Sequence, residues 1–267
     1  MVNLLKADFF RVLRTKIVYI SLIIALVLPI FVEGVTALTE AAVTSVDPEF
    51  ATPGLGNQYL VGSFSPIMGF SFIFAVFPVI VIMMDFGNGT IRDKVIHGYT
   101  RHQIYAAHFI VSLVHSAAMT TIFVVTNVLG SLMLGIEIPS SFVTTIIIYY
   151  AIGSLNILLI ASIGCGLALS LSNAGAIVLT IFSVLFFNYF GSILGLILQW
   201  NEVSNAEYIL CFFPAYFTEM LSSDVLYYPE PQNHDLILYI GAVLGMLIIS
   251  GGFYALGTFV FAKKDFK

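Results

Sequence analysis

The chain has 267 residues, 59% of them hydrophobic and only 9% charged, with a mean hydropathy of +1.01. A soluble domain carries about 25% charged residues, so this composition cannot clothe a water-facing surface and most of the exterior must face lipid. The formal net charge of −5 conceals a split into basic and acidic segments, and no basic stripe suited to nucleic acid exists.

In chain order, residues 3–16 come first. Leu5, Phe9, Val12 and Leu13 recur at helical spacing, while Lys6, Arg11 and Arg14 lie mostly elsewhere on the wheel. That pattern predicts an amphipathic helix in the inner interface. The alternative is a basic flank that only sets topology. A spanning helix needs about 20 mainly apolar residues. This places six spans at about 17–36, 67–84, 104–135, 141–170, 173–200 and 236–262. The first follows a basic segment without a convincing small-residue cleavage site, so it is expected to stay as a signal anchor. Pro29 and Pro78 fall inside spans 1 and 2 and are expected to kink them.

All ten Lys and Arg residues fall on one side of this layout. Lys6, Arg11, Arg14 and Lys16 precede span 1. Arg92, Lys94 and Arg101 separate spans 2 and 3, and Lys263, Lys264 and Lys267 follow span 6. Segments 37–66 and 201–235 contain neither residue type and hold most of the acids. Positive charge stays inside during insertion, which predicts an even number of spans with both termini cytoplasmic.

The outer segment 37–66 reads as a loop, broken by Pro48, Pro53, Gly54, Gly56 and Pro66. Between spans 5 and 6, Tyr208–Leu221 is apolar but divided by Pro214, which predicts one or two short re-entrant helices. An extended aromatic stretch from Tyr227 to Pro231 follows. Gly191/Gly195 and Gly241/Gly245 give small-xxx-small spacing that lets helices approach closely.

Ionisable groups are scarce in the spans. Glu33 and Asp85 lie near span ends. His108 is close enough to the cytoplasm to read as solvated or interfacial. His115 reads as a hydrogen-bonding partner for a neighbouring helix rather than a proton relay. Asn127, Asn156 and Asn188 read as interhelical glue. Cys165 and Cys211 form no disulfide framework, and Cys165 reads as a small buried hydrophobe. No carboxylate pair, HExxH or Cys-His cluster offers catalysis or a metal site. A GxxxxGK[ST] motif is also missing, so the chain cannot by itself cradle a nucleoside triphosphate.

The segment from Asp85 to Arg101 stands out. Gly87 and Gly89 permit a break. Thr90 is expected to cap a new helix with Asp93 as its acidic partner. Gly98 is expected to end that helix, and Thr100 to cap the next. The product is a two-turn helix held between spans 2 and 3, read as a shaped docking element rather than a plain basic loop. Arg92, Lys94 and Arg101 are its candidate contacts with a cytoplasmic partner or with anionic headgroups.

Asp85, Gly89, Thr90, Arg92, Thr100 and Arg101, followed by span 3, resemble the pattern in permease subunits of ABC-2-type transporters. Asp85 stands where Glu is more usual, Gly98-Tyr99 replaces a Pro-containing pair, and His108 stands near a position often held by Lys. The resemblance implies an all-α integral membrane fold: six transmembrane helices, N-in/C-in, as one transmembrane domain over 1–267. It also implies a cytoplasmic coupling helix between spans 2 and 3, with Asp85, Gly89, Thr90, Arg92, Lys94, Gly98, Tyr99, Thr100 and Arg101 as the ATPase-coupling residues. The expected partners are a cytoplasmic ABC ATPase in two copies, which carries ATP and Mg, a second permease chain, identical or paralogous, and the plasma-membrane bilayer. Cofactors in this chain are expected to be none.

The expected function is export of an amphipathic substrate: a peptide antibiotic, lipid-like molecule or drug. A mostly apolar interior suits such cargo, and acidic outer segments suit cationic peptides. Phe186, Asn188 and Tyr189 are the possible pathway residues, against a lipid-facing reading of the same aromatic cluster. A secondary transporter or channel, or a scaffold for a sensor or secretion complex, remains the alternative.

Overall fold

The computed structural model describes residues 1–46, 71–133, 143–201, 205–213, 216, 220 and 234–264. It is all-helical over that range. Helix α1 is Val2–Leu13, α2 Lys16–Val46, α3 Ser71–Gly87, α4 Thr90–Ile96 and α5 Arg101–Met133. They are followed by α6 Val143–Leu171, α7 Gly175–Trp200, α8 Glu207–Leu210 and α9 Leu236–Lys263.

Among the described residues five helices are long and apolar enough to cross a membrane, through Lys16–Val35, Arg101–Gly130, Ala151–Leu171, Gly175–Leu198 and Leu236–Lys263. Helices α3 and α4 pass the same test only when counted together as one span, broken at residues 88–89 and bent by 63°. Pro29 and Pro78 do lie inside α2 and α3. The first long helix departs from expectation by running on to Val46, so residues 37–46 are helix rather than loop. These residues are rich in helix formers and contain no Gly or Pro; the first breaker is Pro48, and nothing before it stops propagation. The rest of the expected outer loop and the Tyr227–Pro231 stretch lie outside the described residues.

Helix α6 is the centre of the bundle, packed against α3, α5, α7 and α9. Its closest neighbour is α9, and glycine explains why. Gly166 and Gly257 face one another, and a methyl on Gly257 would fall onto the Tyr105 hydroxyl and the Gly166 Cα. Tyr105 itself is fully buried, edge-on to Tyr254 with centroids 5.2 Å apart. Helix α2 packs mainly on α5. There Ala25, Phe74, Met119 and Phe123 form a dry cluster, and Ser21 Oγ lies 2.7 Å from His115 Nε2. The expected cross-helix hydrogen bond of His115 is therefore present. Near the far end of that seam, Glu33 is buried against Gly130, where any Cβ would overlap its carboxylate.

The two small-xxx-small motifs have a different use from the helix pairing expected of them. Gly241 receives the Cys211 side chain, and Gly245 receives the backbone of Phe212. Gly191 and Gly195 receive Phe213, Tyr216 and Leu210. Both glycine faces are thus filled by the short segment around α8, which sits between α7 and α9. Tyr208 then donates a hydrogen bond to Asp235 at 2.5 Å, and that carboxylate holds the phenol above its ordinary range.

Replacing Gly245 by Ala forces a methyl into the Phe212 backbone, which cannot turn away as a side chain could. Overpacking of this kind costs about 1–3 kcal/mol. Gly245→Ala is expected to lower the thermal unfolding temperature of the purified protein in detergent. Gly251→Ala, with open space around its Cβ, is expected to leave that temperature unchanged or slightly raised.

Candidate functional site

The region between α3 and α5 is shaped by glycines in the left-handed conformation. Gly89 (φ +72°) stands at the N-cap of α4 and Gly98 (φ +87°) just beyond its end. A side chain at either would be strained by about 1–2 kcal/mol. Tyr99 N–H donates to the Lys94 carbonyl at 3.2 Å and Gly98 N–H to that of Val95 at 3.0 Å, the paired bonds of a Schellman ending. Thr100 Oγ1 accepts from Gln103 N–H, and Gln103 Oε1 accepts from Thr100 N–H, at 3.3 and 3.2 Å. This is a full capping box, so the expected cap at Thr100 is present. Thr90 is different: it is the first helical residue, Gly89 takes the cap position, and no side chain caps the helix.

The two faces of α4 differ sharply. Ile91 and Lys94 are buried, whereas Arg92, Asp93, Ile96 and His97 are exposed. Ile96 is 70% exposed, the one large apolar side chain that α4 turns outward. Lys94 does not offer its charge outward, as its grouping with Arg92 and Arg101 implied. Its ammonium lies 2.7 Å from Asp8 Oδ1 on α1 and 3.2 Å from His108 Nε2 on α5. Its position on α4 faces α1 and α5, so burial turns the charge inward. Burial also pulls this ammonium below the ordinary lysine range, and the Asp8 carboxylate works against that pull.

Around Lys94 a buried cluster closes. Arg11 on α1 bridges Asp8 Oδ1 at 3.2 Å and Asp85 Oδ2 on α3. A lysine ammonium only donates, so His108 Nε2 is the acceptor and its ring proton sits on Nδ1. That nitrogen faces Asp85 Oδ2 at 3.6 Å, too long for a hydrogen bond but favourable in charge. Two carboxylates, two cations and a neutral imidazole therefore balance. His108 is 3% exposed, which corrects its reading as a solvated histidine; it is shielded by α1 and α4, which the linear sequence does not place over it.

Asp8 is the residue that sequence reasoning missed. It lies in the buried stripe Leu4–Asp8–Val12 of α1, and an acid in the middle of an i, i+4, i+8 apolar stripe was the available signal. Leu13, expected on that apolar face, is instead 56% exposed. A groove of about 220 Å³ separates α1 from α4, lined by Leu4, Asp8, Thr90, Asp93, His97 and Tyr99 among others.

Other cations close helix ends. Arg101 Nη1 donates to the Ala262 carbonyl at 2.5 Å. Lys264 Nζ donates to the Leu169 and Ser170 carbonyls at 3.0 and 2.9 Å. Both meet the negative ends of α9 and α6. The possible pathway residues are elsewhere, on α7: Phe186 and Tyr189 are 55% and 53% exposed, and the side chain of Asn188 lies outside the described residues. Among the described residues no group of three His, Cys, Asp or Glu side chains could hold a metal ion.

A bundle of membrane-length helices with a short bent helix at one end is the architecture of a multi-pass plasma-membrane protein. The chain belongs to the family described as ABC-2 family transporter protein, which matches residues 4–191, from α1 into α7. Comparison with curated proteins gives no match, and comparison with solved structures gives none either. The matched range contains every member of the buried cluster.

Removing one partner from a buried ion pair leaves an uncompensated charge and costs about 3–5 kcal/mol. Asp8→Asn and Lys94→Met are each expected to destabilise the protein by that order in denaturant titrations. The double substitution is expected to recover part of the loss. Strictly additive losses would show that the pair is not coupled.

Proposed function

We propose that this chain is the permease subunit of an ATP-driven exporter, working with a separate cytoplasmic ATPase. Both termini are inside, the chain forms one domain over residues 1–267, and α4 is the element the ATPase grips. The family match supports the transporter class. The observation that carries the coupling reading is the ion pair of Lys94 with Asp8. It fastens α4 to α1, while Arg11 fastens α1 to the inner end of α3.

On this reading two ATPase copies close on ATP and push α4. The push passes through Lys94, Asp8 and Arg11 to Asp85 at the foot of α3, where the break at residues 88–89 allows the angle to change. Pro78 gives α3 a further bend point. Two permease chains, identical or paralogous, switch together between inward and outward openings, and ATP biases that two-state equilibrium. Arg92 and Ile96 meet the ATPase. Arg101 sets the start of α5 through its bond to Ala262 and acts as a positioning residue. The exposed Phe186 and Tyr189, with Asn188 between them, supply a lining for amphipathic cargo such as a peptide antibiotic, a lipid-like molecule or a drug. The α8 segment caps the exit.

Arg92→Glu tests this, because the exposed side chain of Arg92 can be reversed without touching the buried cluster. The permease is expected to insert and purify as before, while ATP hydrolysis stimulated by the assembled complex falls about fivefold or more, the scale of ordinary coupling energies. Undiminished stimulated hydrolysis in Arg92→Glu combined with Ile96→Asp would overturn the assignment of α4.

A further inference from the structure

We propose that the outer face of α1 is a seat for anionic phospholipid headgroups of the inner leaflet. The proposal rests on the cytoplasmic orientation argued above. Val2, Phe10 and Leu13 are 65%, 59% and 56% exposed on one side of the helix, and Lys6 and Arg14 are exposed on that same side. The Arg14 guanidinium lies over the Phe10 ring, 4.0 Å from its centroid. The only acid of α1, Asp8, is buried on the opposite side and is already matched by Lys94 and Arg11. The outward face is therefore apolar and positive with nothing of its own to oppose the charge.

The cations at this end of the molecule divide by use. Arg11 and Lys94 meet carboxylates, and Arg101 and Lys264 meet helix-end carbonyls. Arg14 and Lys263 meet neither among the described residues. Each instead lies over an exposed phenylalanine four residues earlier: Lys263 Nζ is 4.0 Å from the Phe259 centroid, and Phe259 is 58% exposed. An exposed ring beneath an unopposed cation suits the headgroup boundary. The ring and aliphatic stem enter the acyl layer there, and the charge stays among phosphates. A neutral protein surface would satisfy the rings and leave the charges unmatched. An anionic phospholipid satisfies both. The pair on α9 repeats the arrangement at the inner end of a lipid-facing helix.

Each cation near an anionic leaflet is worth about 1 kcal/mol, or about fivefold in local lipid occupancy. The test uses the full permease with its ATPase, reconstituted in vesicles of phosphatidylcholine with and without phosphatidylglycerol. Lipid retained through detergent extraction is then identified by mass spectrometry. Wild type is expected to retain phosphatidylglycerol above its bulk proportion. Lys6→Gln with Arg14→Gln is expected to reduce that enrichment severalfold, and Lys6→Arg with Arg14→Lys is expected to keep it. Retention at the bulk proportion in wild type, or unchanged enrichment in the Gln pair, would overturn the seat. Loss of enrichment on adding inorganic phosphate would assign the site to a free anion instead. A cysteine at position 2, probed with an impermeant reagent from outside, separates the premises: labelling sinks the orientation, whereas protection without enrichment sinks only the lipid seat.

Discussion

The fold at its basic end depends on four charges that have been taken out of water together. Asp8, Arg11, Asp85 and Lys94 come from three helices, and their side chains are mostly buried beside His108 on a fourth. The effective penalty for burying an ion is several kcal/mol even after relaxation, so no one of these helices can leave without stranding a charge. Apolar packing alone would give α1 and α4 little register, because the hydrophobic effect is non-directional. Paired charges fix them in one register. This is a source of specificity more than of net stability, since a well-packed apolar replacement is often as stable as a buried ion pair.

The opposite end uses another device. There the segment around α8 is seated by shape, with Phe212 and Cys211 against glycines of α9 and with Phe213 and Tyr216 against glycines of α7. Absent side chains let backbone reach backbone, and the contact is close because nothing intervenes. A charge-locked end and a shape-locked end respond to different perturbations. The first is sensitive to the loss of a partner, the second to the gain of a methyl group.

The sequence showed the helices well and their partnerships badly. Span bounds rest on runs of apolar residues, a local signal, and α5, α6, α7 and α9 begin and end within a few residues of where that signal stops. The breaks at Gly89 and Gly98 and the cap at Thr100 are equally local and were legible for that reason, though the reciprocal bond from Gln103 was not read. What failed was everything set by a neighbour distant in sequence. Lys94 looks like a loop cation until α1 places Asp8 against it. His108 looks interfacial until α1 and α4 cover it. Asp8 was overlooked because Lys94, which meets it across the cluster, lies far along the chain. The glycine pairs were read for their spacing, which suits any close contact, and spacing cannot say whether helix or loop will fill the groove.

These two locks also divide the bundle in a way that bears on transport. Helices α6 and α9 are held in close contact by Gly166 and Gly257, and α9 shares the α8 segment with α7. Helices α1, α3 and α4 are held by the buried charges, which also reach His108 on α5. On the proposed mechanism a push at α4 is transmitted first within the charged group, because breaking an ion pair is costly whereas rotating about glycine residues is not. The α6–α9 pair receives it through apolar contacts with α3 and α5, which can slide at little cost in a lipid-like interior. The α8 segment, seated on glycines of both α7 and α9, then moves with that pair. Coupling through rigid pieces with a compliant joint between them is what converts a small displacement at a helix of seven residues into a change of opening across the membrane, and it requires that the charged lock be stiffer than the apolar joint it pushes against.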